Sequence, residues 1–199
     1  MRAASNGGHS TLRVLGIDPA AAGATGYGVI ELEAGRCHML RFGALRRSNG
    51  SSADFPARLR EIHRTVGMLI REFAPHVVAV ESVFTALNMK TALKLAEVRG
   101  VVLLAAAEAG LPVHSYSPRE VKQKITGYGH ADKHQMQTMV RAMLGLSETP
   151  EPPDAADALA VALCHIYAEQ ARAHLSAAAL PRPQCTRSRS AAARISSLR

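Results

Sequence analysis

Apolar and polar residues follow two different periods along this chain, and the switches between them mark its organisation. LRVLGI (12 to 17) is a short apolar run that ends at a turn rich in Gly and Ala, and GYGVIELE (26 to 33) and RCHMLRFGAL (36 to 45) follow at close spacing. These read as three strands joined by antiparallel hairpins. From Phe55 the period becomes helical: Phe55, Leu59, Ile62, Val66, Leu69, Ile70 and Phe73 share one stripe, which Pro75 ends. HVVAVE (76 to 81) is a β-branched run that reads as a central, buried strand. An alanine-rich helix over 88–109 and a short strand LPVHSY (111 to 116) come next. Ser117-Pro118-Arg119-Glu120 combines an N-cap serine, a proline at the first helical position and a glutamate closing a capping box. Gly127-Tyr128-Gly129 breaks that helix, and Met136, Met139, Val140, Met143 and Leu144 mark another. Pro150, Pro152 and Pro153 lead into a last helix over about 154–170. Three strands, helix, strand, helix, strand, then helices: this order predicts an α/β three-layer sandwich with a mixed five-stranded sheet. Residues 1–11 read as a flexible leader, 12–170 as one domain, and 171–199 as a basic, disordered tail.

Charge changes this picture at one end of the chain. The formal net charge is +8, and from residue 171 onward Arg172, Arg182, Arg187, Arg189, Arg194 and Arg199 meet no acid. The preceding 170 residues are therefore only mildly basic, and the tail favours an anionic partner such as nucleic acid. Hydrophobic content of 47% supports a core, but without tryptophan that core rests on Ala, Val, Leu, Ile and Met. Cys37, Cys164 and Cys185 are odd in number and far apart, which argues against a disulfide framework or a Cys-based zinc site and fits a cytoplasmic protein. No apolar run reaches 18 residues, so no transmembrane helix is expected, and the N-terminus lacks the apolar stretch of a signal peptide.

Four carboxylates carry the candidate chemistry. Asp154 and Asp157 are the only charged residues between Glu151 and Glu169, three apart at the front of an apolar run. Two readings compete: Asp154 as N-cap with Asp157 favouring the helix dipole, or both pointing from one face into a cleft. Asp18 ends the first apolar strand, where an Asx turn before Pro19 would also account for it. Glu81 directly follows the apolar strand residues Val77, Val78, Ala79 and Val80, where a buried carboxylate without a partner is costly. If the two strands are neighbours and the last helix packs beside them, the four acids meet. Clustered carboxylates repel one another unless a cation sits between them, and oxygen-only ligation selects Mg²⁺ or Mn²⁺. Two such ions can activate water against a phosphodiester.

LGIDP…TGYGVI (15 to 30), VAVESVF (78 to 84), ALKLAEVRGV (92 to 101), REVKQKITGYGHADKHQMQTMV (119 to 140) and DAADALAVALCH (154 to 165) occur in this order. Together they resemble the RuvC-type Holliday junction resolvases, which have the ribonuclease H-like fold. The resemblance implies a dimeric, Mg²⁺-dependent endonuclease that nicks four-way DNA junctions symmetrically in recombination and repair. It implies two Mg²⁺ ions per site, with Mn²⁺ able to substitute, and a branch-migration helicase complex of the RuvA-RuvB type as partner. By motif position Asp18, Glu81, Asp154 and Asp157 correspond to the catalytic, metal-holding acids. Phe84 falls where the family places an aromatic against junction bases, and Lys122 and Lys133 fall at basic positions tied to DNA binding and catalysis. Arg119 and Lys90 are weaker phosphate candidates. One departure stands out. The family reads Asp-Pro-Gly after the first strand, whereas this chain has Asp18-Pro19-Ala20 and a turn about one residue longer, and alanine does not easily take positive φ.

Bland readings stand beside these: Phe84 as a core plug, Lys122, Lys124 and Lys133 as solvated surface charges, and the tail arginines as solubilising only. His130, His134 and His165 lack tight metal-ligand spacing. Actin-like sugar kinases and ATPases also begin with a strand ending Gly-Ile-Asp, but they need a second related domain, for which this chain is too short. A non-catalytic DNA-binding module of the same fold is the other alternative, and four retained acids argue against it. The helix over 88–109, with Leu93, Ala96, Val101 and Leu104 on more than one face, is the expected dimer contact.

Overall fold

The computed structural model describes residues 11–21, 23–46, 55–82 and 88–178. Phe84, the first residues of the leader and everything beyond Ala178 lie outside the described residues. The elements are β1 (Leu12–Asp18), β2 (Thr25–Glu33), β3 (Arg36–Leu45), α1 (Phe55–Phe73), β4 (Val77–Glu81), α2 (Met89–Glu108), β5 (Val113–Tyr116), α3 (Pro118–Thr126), α4 (Lys133–Met143) and α5 (Pro153–Ala178). The sheet runs β3-β2-β1-β4-β5. β1 pairs antiparallel with β2 and β2 with β3, as the short hairpin loops require, while β4 pairs parallel with both β1 and β5. This is the expected mixed sheet.

Strand alternation sends successive side chains to opposite layers. Val14, Val77 and Ala79 pack with α3, α4 and α5, whereas Leu15, Ile17, Val78 and Val80 pack with α1 and α2. The layer against α5 is unusually close. A Cβ at Gly16 would stand 2.2 Å from the Ala158 carbonyl oxygen, and one at Gly26 would stand 1.9 Å from that of Asp154. Only glycine lets the helix backbone come down onto the sheet at these two points. Small residues in the facing turns, Ala155, Ala156, Ala158 and Ala162, are fully buried there.

Two local differences from the sequence expectations have simple causes. α5 continues to Ala178, eight residues past the expected end. Residues 171–176 are exposed, so this extension needs no apolar stripe, and its alanines favour helix by propensity. Asp154 lies inside the first turn of α5 rather than preceding it, since the helix starts at Pro153. The capping box of Ser117 and Glu120 is present, and Asp132 with Gln135 forms a second one at the start of α4.

Candidate active site

β1 and β4 both end in an acid. Their parallel register pairs Ile17 with Val80, so the next step along each strand brings Asp18 beside Glu81. Alternation turns both toward α5, because Gly16 and Ala79, two residues earlier, face that layer. α5 enters over Gly26, the cross-strand partner of Asp18, and presents Asp157 one turn later. Asp18, Glu81 and Asp157 line one cavity of about 230 Å³, together with Lys122 of α3, Lys133 of α4, Pro118, Val121, Met136 and Ala160.

The electrostatics follow from this crowding. Burial, then Glu81 and Asp157, push the Asp18 carboxyl up to about 9, and a hydrogen bond joins it to Glu81. Burial also raises Glu81, while its hydrogen bond with Asp18 and the charge of Lys122 act the other way. Asp157 is raised by burial and held back by Lys133, whose Nζ lies 3.5 Å from its Oδ2. Each carboxyl thus prefers a proton or another positive charge as neighbour.

Asp154 is the exception to the expected convergence. It does not line the cavity. Its Oδ1 lies over the loop after β1, 3.9 Å from where a Cβ at Gly23 would stand, and it repels Asp18 and Asp157 only as a lesser influence. Three residues of α-helix turn about 300°, so its side chain leaves the axis about 60° away from that of Asp157. Among the described residues no three His, Cys, Asp or Glu side chains stand close enough together to enclose a metal ion as they are placed. The donors themselves still suit a hard cation: all are carboxylate oxygens, and Asp18 and Glu81 share a hydrogen bond that positive charge between them would replace.

The other candidates are dispersed. Arg119 lines a separate groove of about 520 Å³ with Tyr116, Lys124 and Arg172, and Lys90 is exposed in the first turn of α2. His165 is buried and hydrogen-bonded to the Tyr116 hydroxyl at 2.8 Å, against the His114 ring, while His130 lies against Tyr128. Sequence reasoning missed Arg58. It is 8% exposed on α1, and its guanidinium donates to the carbonyls of Ala20, Ala21 and Gly23 in the loop after Asp18. The available signal was a charged residue four before Ile62, on the apolar stripe of α1. Ala20 and Ala21 in that loop avoid the strained region: among the described residues positive φ outside glycine occurs only at Ala34 and Ala74.

A mixed sheet of this order, layered by helices on both faces and carrying acids at the carboxyl ends of its two parallel central strands, defines a nuclease of the ribonuclease H-like class. Residues 14–165 match the family described as RuvC, crossover junction endodeoxyribonuclease. A relative of that description from Syntrophomonas wolfei is 45% identical over 168 residues, covering 84% of this chain and 96% of the relative. One from Moorella thermoacetica is 49% identical over 152 residues, covering 76% and 89%. The structure of Thermus thermophilus RuvC in complex with Holliday junction substrate superposes with a TM-score of 0.73 at 40% identity, covering 80% of this chain and 96% of that one. The chain belongs to the RuvC family of crossover junction endodeoxyribonucleases.

Proposed function

We propose that this chain cuts four-way DNA junctions by paired, symmetric nicks, and that Asp18, Glu81 and Asp157, with Asp154 at their flank, are the acids that carry the reaction. The observation behind this reading is that β1, β4 and α5 deliver carboxyls into one cavity that Lys122 and Lys133 also line. The relative from T. thermophilus, solved with a Holliday junction, supports the choice of substrate. The four acids would hold two Mg²⁺ ions, or Mn²⁺ in their place, which when bound supply a water of lowered pKa and positive charge for the leaving oxygen. The chain's own residues do the rest. Asp18 and Glu81 keep their carboxyls together from adjacent strand ends, and the close seat of α5 holds Asp157 against them. Lys133 restrains the Asp157 carboxylate from the side and, with Lys122, offsets the negative charge that a phosphate brings.

Two nicks on a two-fold substrate need two equivalent sites, which a C₂ homodimer supplies. Leu93 and Leu104 of α2 are 58% and 52% exposed, and Ala96, Gly100 and Ala107 lie exposed between and beyond them at helical spacing. This stripe of small and apolar residues supports α2 as the dimer contact. Val101 flanks this stripe and is partly buried against the core layer that α2 shares with α1. A branch-migration helicase complex of the RuvA-RuvB type and a cytoplasmic location complete the proposal; among the described residues no helix is long and apolar enough to cross a membrane. The test is incubation with a synthetic four-way junction, a linear duplex and a single strand, with and without Mg²⁺. Nicking confined to the junction with Mg²⁺ is expected. Mg²⁺-dependent binding that never leads to cutting would favour a non-catalytic junction-binding module instead.

A further inference from the structure

We propose that Arg58 is a positioning residue for the catalytic acids, acting through the loop between β1 and β2. This rests on the nuclease reading above and extends it to a residue on the far side of the sheet. The loop leaves β1 directly after Asp18 and contains Pro19, alanines and Gly23 before Thr25, so no side chain in it can hydrogen-bond to hold its shape. Its shape is set from outside. The Arg58 guanidinium donates to Gly23 O at 2.6 Å and Ala20 O at 2.9 Å, and more weakly to Ala21 O at 3.4 Å. From the next strand, the buried Thr25 hydroxyl accepts the Ala20 N–H at 3.4 Å.

Burying a guanidinium is costly unless its donors are met, so its place on the apolar stripe of α1 needs a return. That return is geometric. A planar fork spans several carbonyls at fixed angles, which a lysine ammonium on a flexible stem does not reproduce. The carbonyls it gathers belong to residues two, three and five after Asp18, and Gly23 lies directly beneath the Asp154 carboxyl. Arg58 therefore fixes the main-chain path out of Asp18 and the floor under Asp154 at once. Its influence on both acids runs through the main chain of the loop.

The test uses the full chain with Arg58→Lys and Arg58→Gln. Three quantities are read: the single-turnover nicking rate against Mg²⁺ concentration, the Mg²⁺ concentration giving half of the metal-induced rise in melting temperature, and metal-free junction affinity. For a folded variant the Mg²⁺ midpoint should rise about tenfold and nicking should fall about 10–100-fold, the usual effect of losing an outer support of a metal site. Metal-free junction affinity should stay within about twofold, because it rests on phosphate contacts elsewhere. Unchanged rate and midpoint would overturn the role. So would a slower rate with an unmoved midpoint, which general loosening would give, and so would loss of cooperative melting in both variants, which would make Arg58 a requirement of the fold. A wild-type chain that nicks no junction would sink the nuclease reading, while the Mg²⁺ thermal shift would still decide the role of Arg58.

Discussion

The seat of α5 on the sheet can be tested with one methyl group. In Gly26→Ala the new Cβ would stand 1.9 Å from the Asp154 carbonyl oxygen and 2.5 Å from its carbon. Ordinary contact begins near 3.4 Å, so the first turn of α5 must retreat by about 1.5 Å, or β2 must give way by as much. Neither neighbour is a flexible side-chain end. Overpacking of this kind costs about 1–3 kcal/mol of stability. Its effect on cutting should be larger in proportion, since Asp157 sits one turn along the displaced segment and a misplacement of about 1 Å at a reacting centre costs about 10²-fold in rate. The assay is single-turnover nicking of a four-way junction at saturating Mg²⁺, well below each variant's melting temperature. Gly67→Ala is the control: its Cβ meets only the end of Arg71 at 3.4 Å, and the change should stabilise α1 by up to about 1 kcal/mol with unchanged cutting. If Gly26→Ala is folded and cuts at the wild-type rate, the seam between β2 and α5 does not set the position of Asp157.

Other parts of the molecule make four more expectations testable. Asp18→Asn should abolish cutting yet raise the melting temperature of the metal-free protein, by roughly 0.5–2 kcal/mol in stability, the usual gain from relieving a strained site. The sign follows from linkage: Asp18 is raised from 3.8 to about 9, so its proton stabilises the fold fully below the lower value and that stability is lost as pH rises to the upper one. Melting in EDTA across that range should slope downward for the wild type and less for the variant. His165 is lowered from 6.5 to about 4 by burial first and His114 next, so stability should fall by about 3 kcal/mol as pH drops through that window; His165→Gln should flatten this acid limb in denaturant titrations. Leu93→Glu with Leu104→Glu should leave the monomer folded and shift sedimentation from dimer to monomer, with paired nicks replaced by single ones. Removing residues 179–199 takes away five of the six arginines beyond residue 170 and should make the slope of log affinity against log salt shallower by about 0.9 for each phosphate that the tail neutralises.

Much of the architecture was legible in one dimension because its causes are local. The short apolar runs ending at Asp18 and Glu81, the helical stripe from Phe55 to Phe73 and the capping box at Ser117 each depend on neighbours a few residues apart. Alternation alone also places Asp18 and Glu81 on a common face once their strands are known to be adjacent. The site needed more. Residues 63 positions apart had to be brought into parallel register, and no local signal encodes that pairing. The separation of Asp154 from Asp157 depends on how α5 is rotated over Gly16 and Gly26, which is decided by backbone contact across the layers. Arg58 looks like an intruder on an apolar stripe until the fold sets three carbonyls around it. The exposed end of α5 went unread for the opposite reason: a helix end whose side chains stay exposed leaves no hydrophobic period to find. Local chemistry chose the elements and supplied the acids, whereas long-range packing, whose energy lies in contacts between distant segments, determined which of those acids share a cavity.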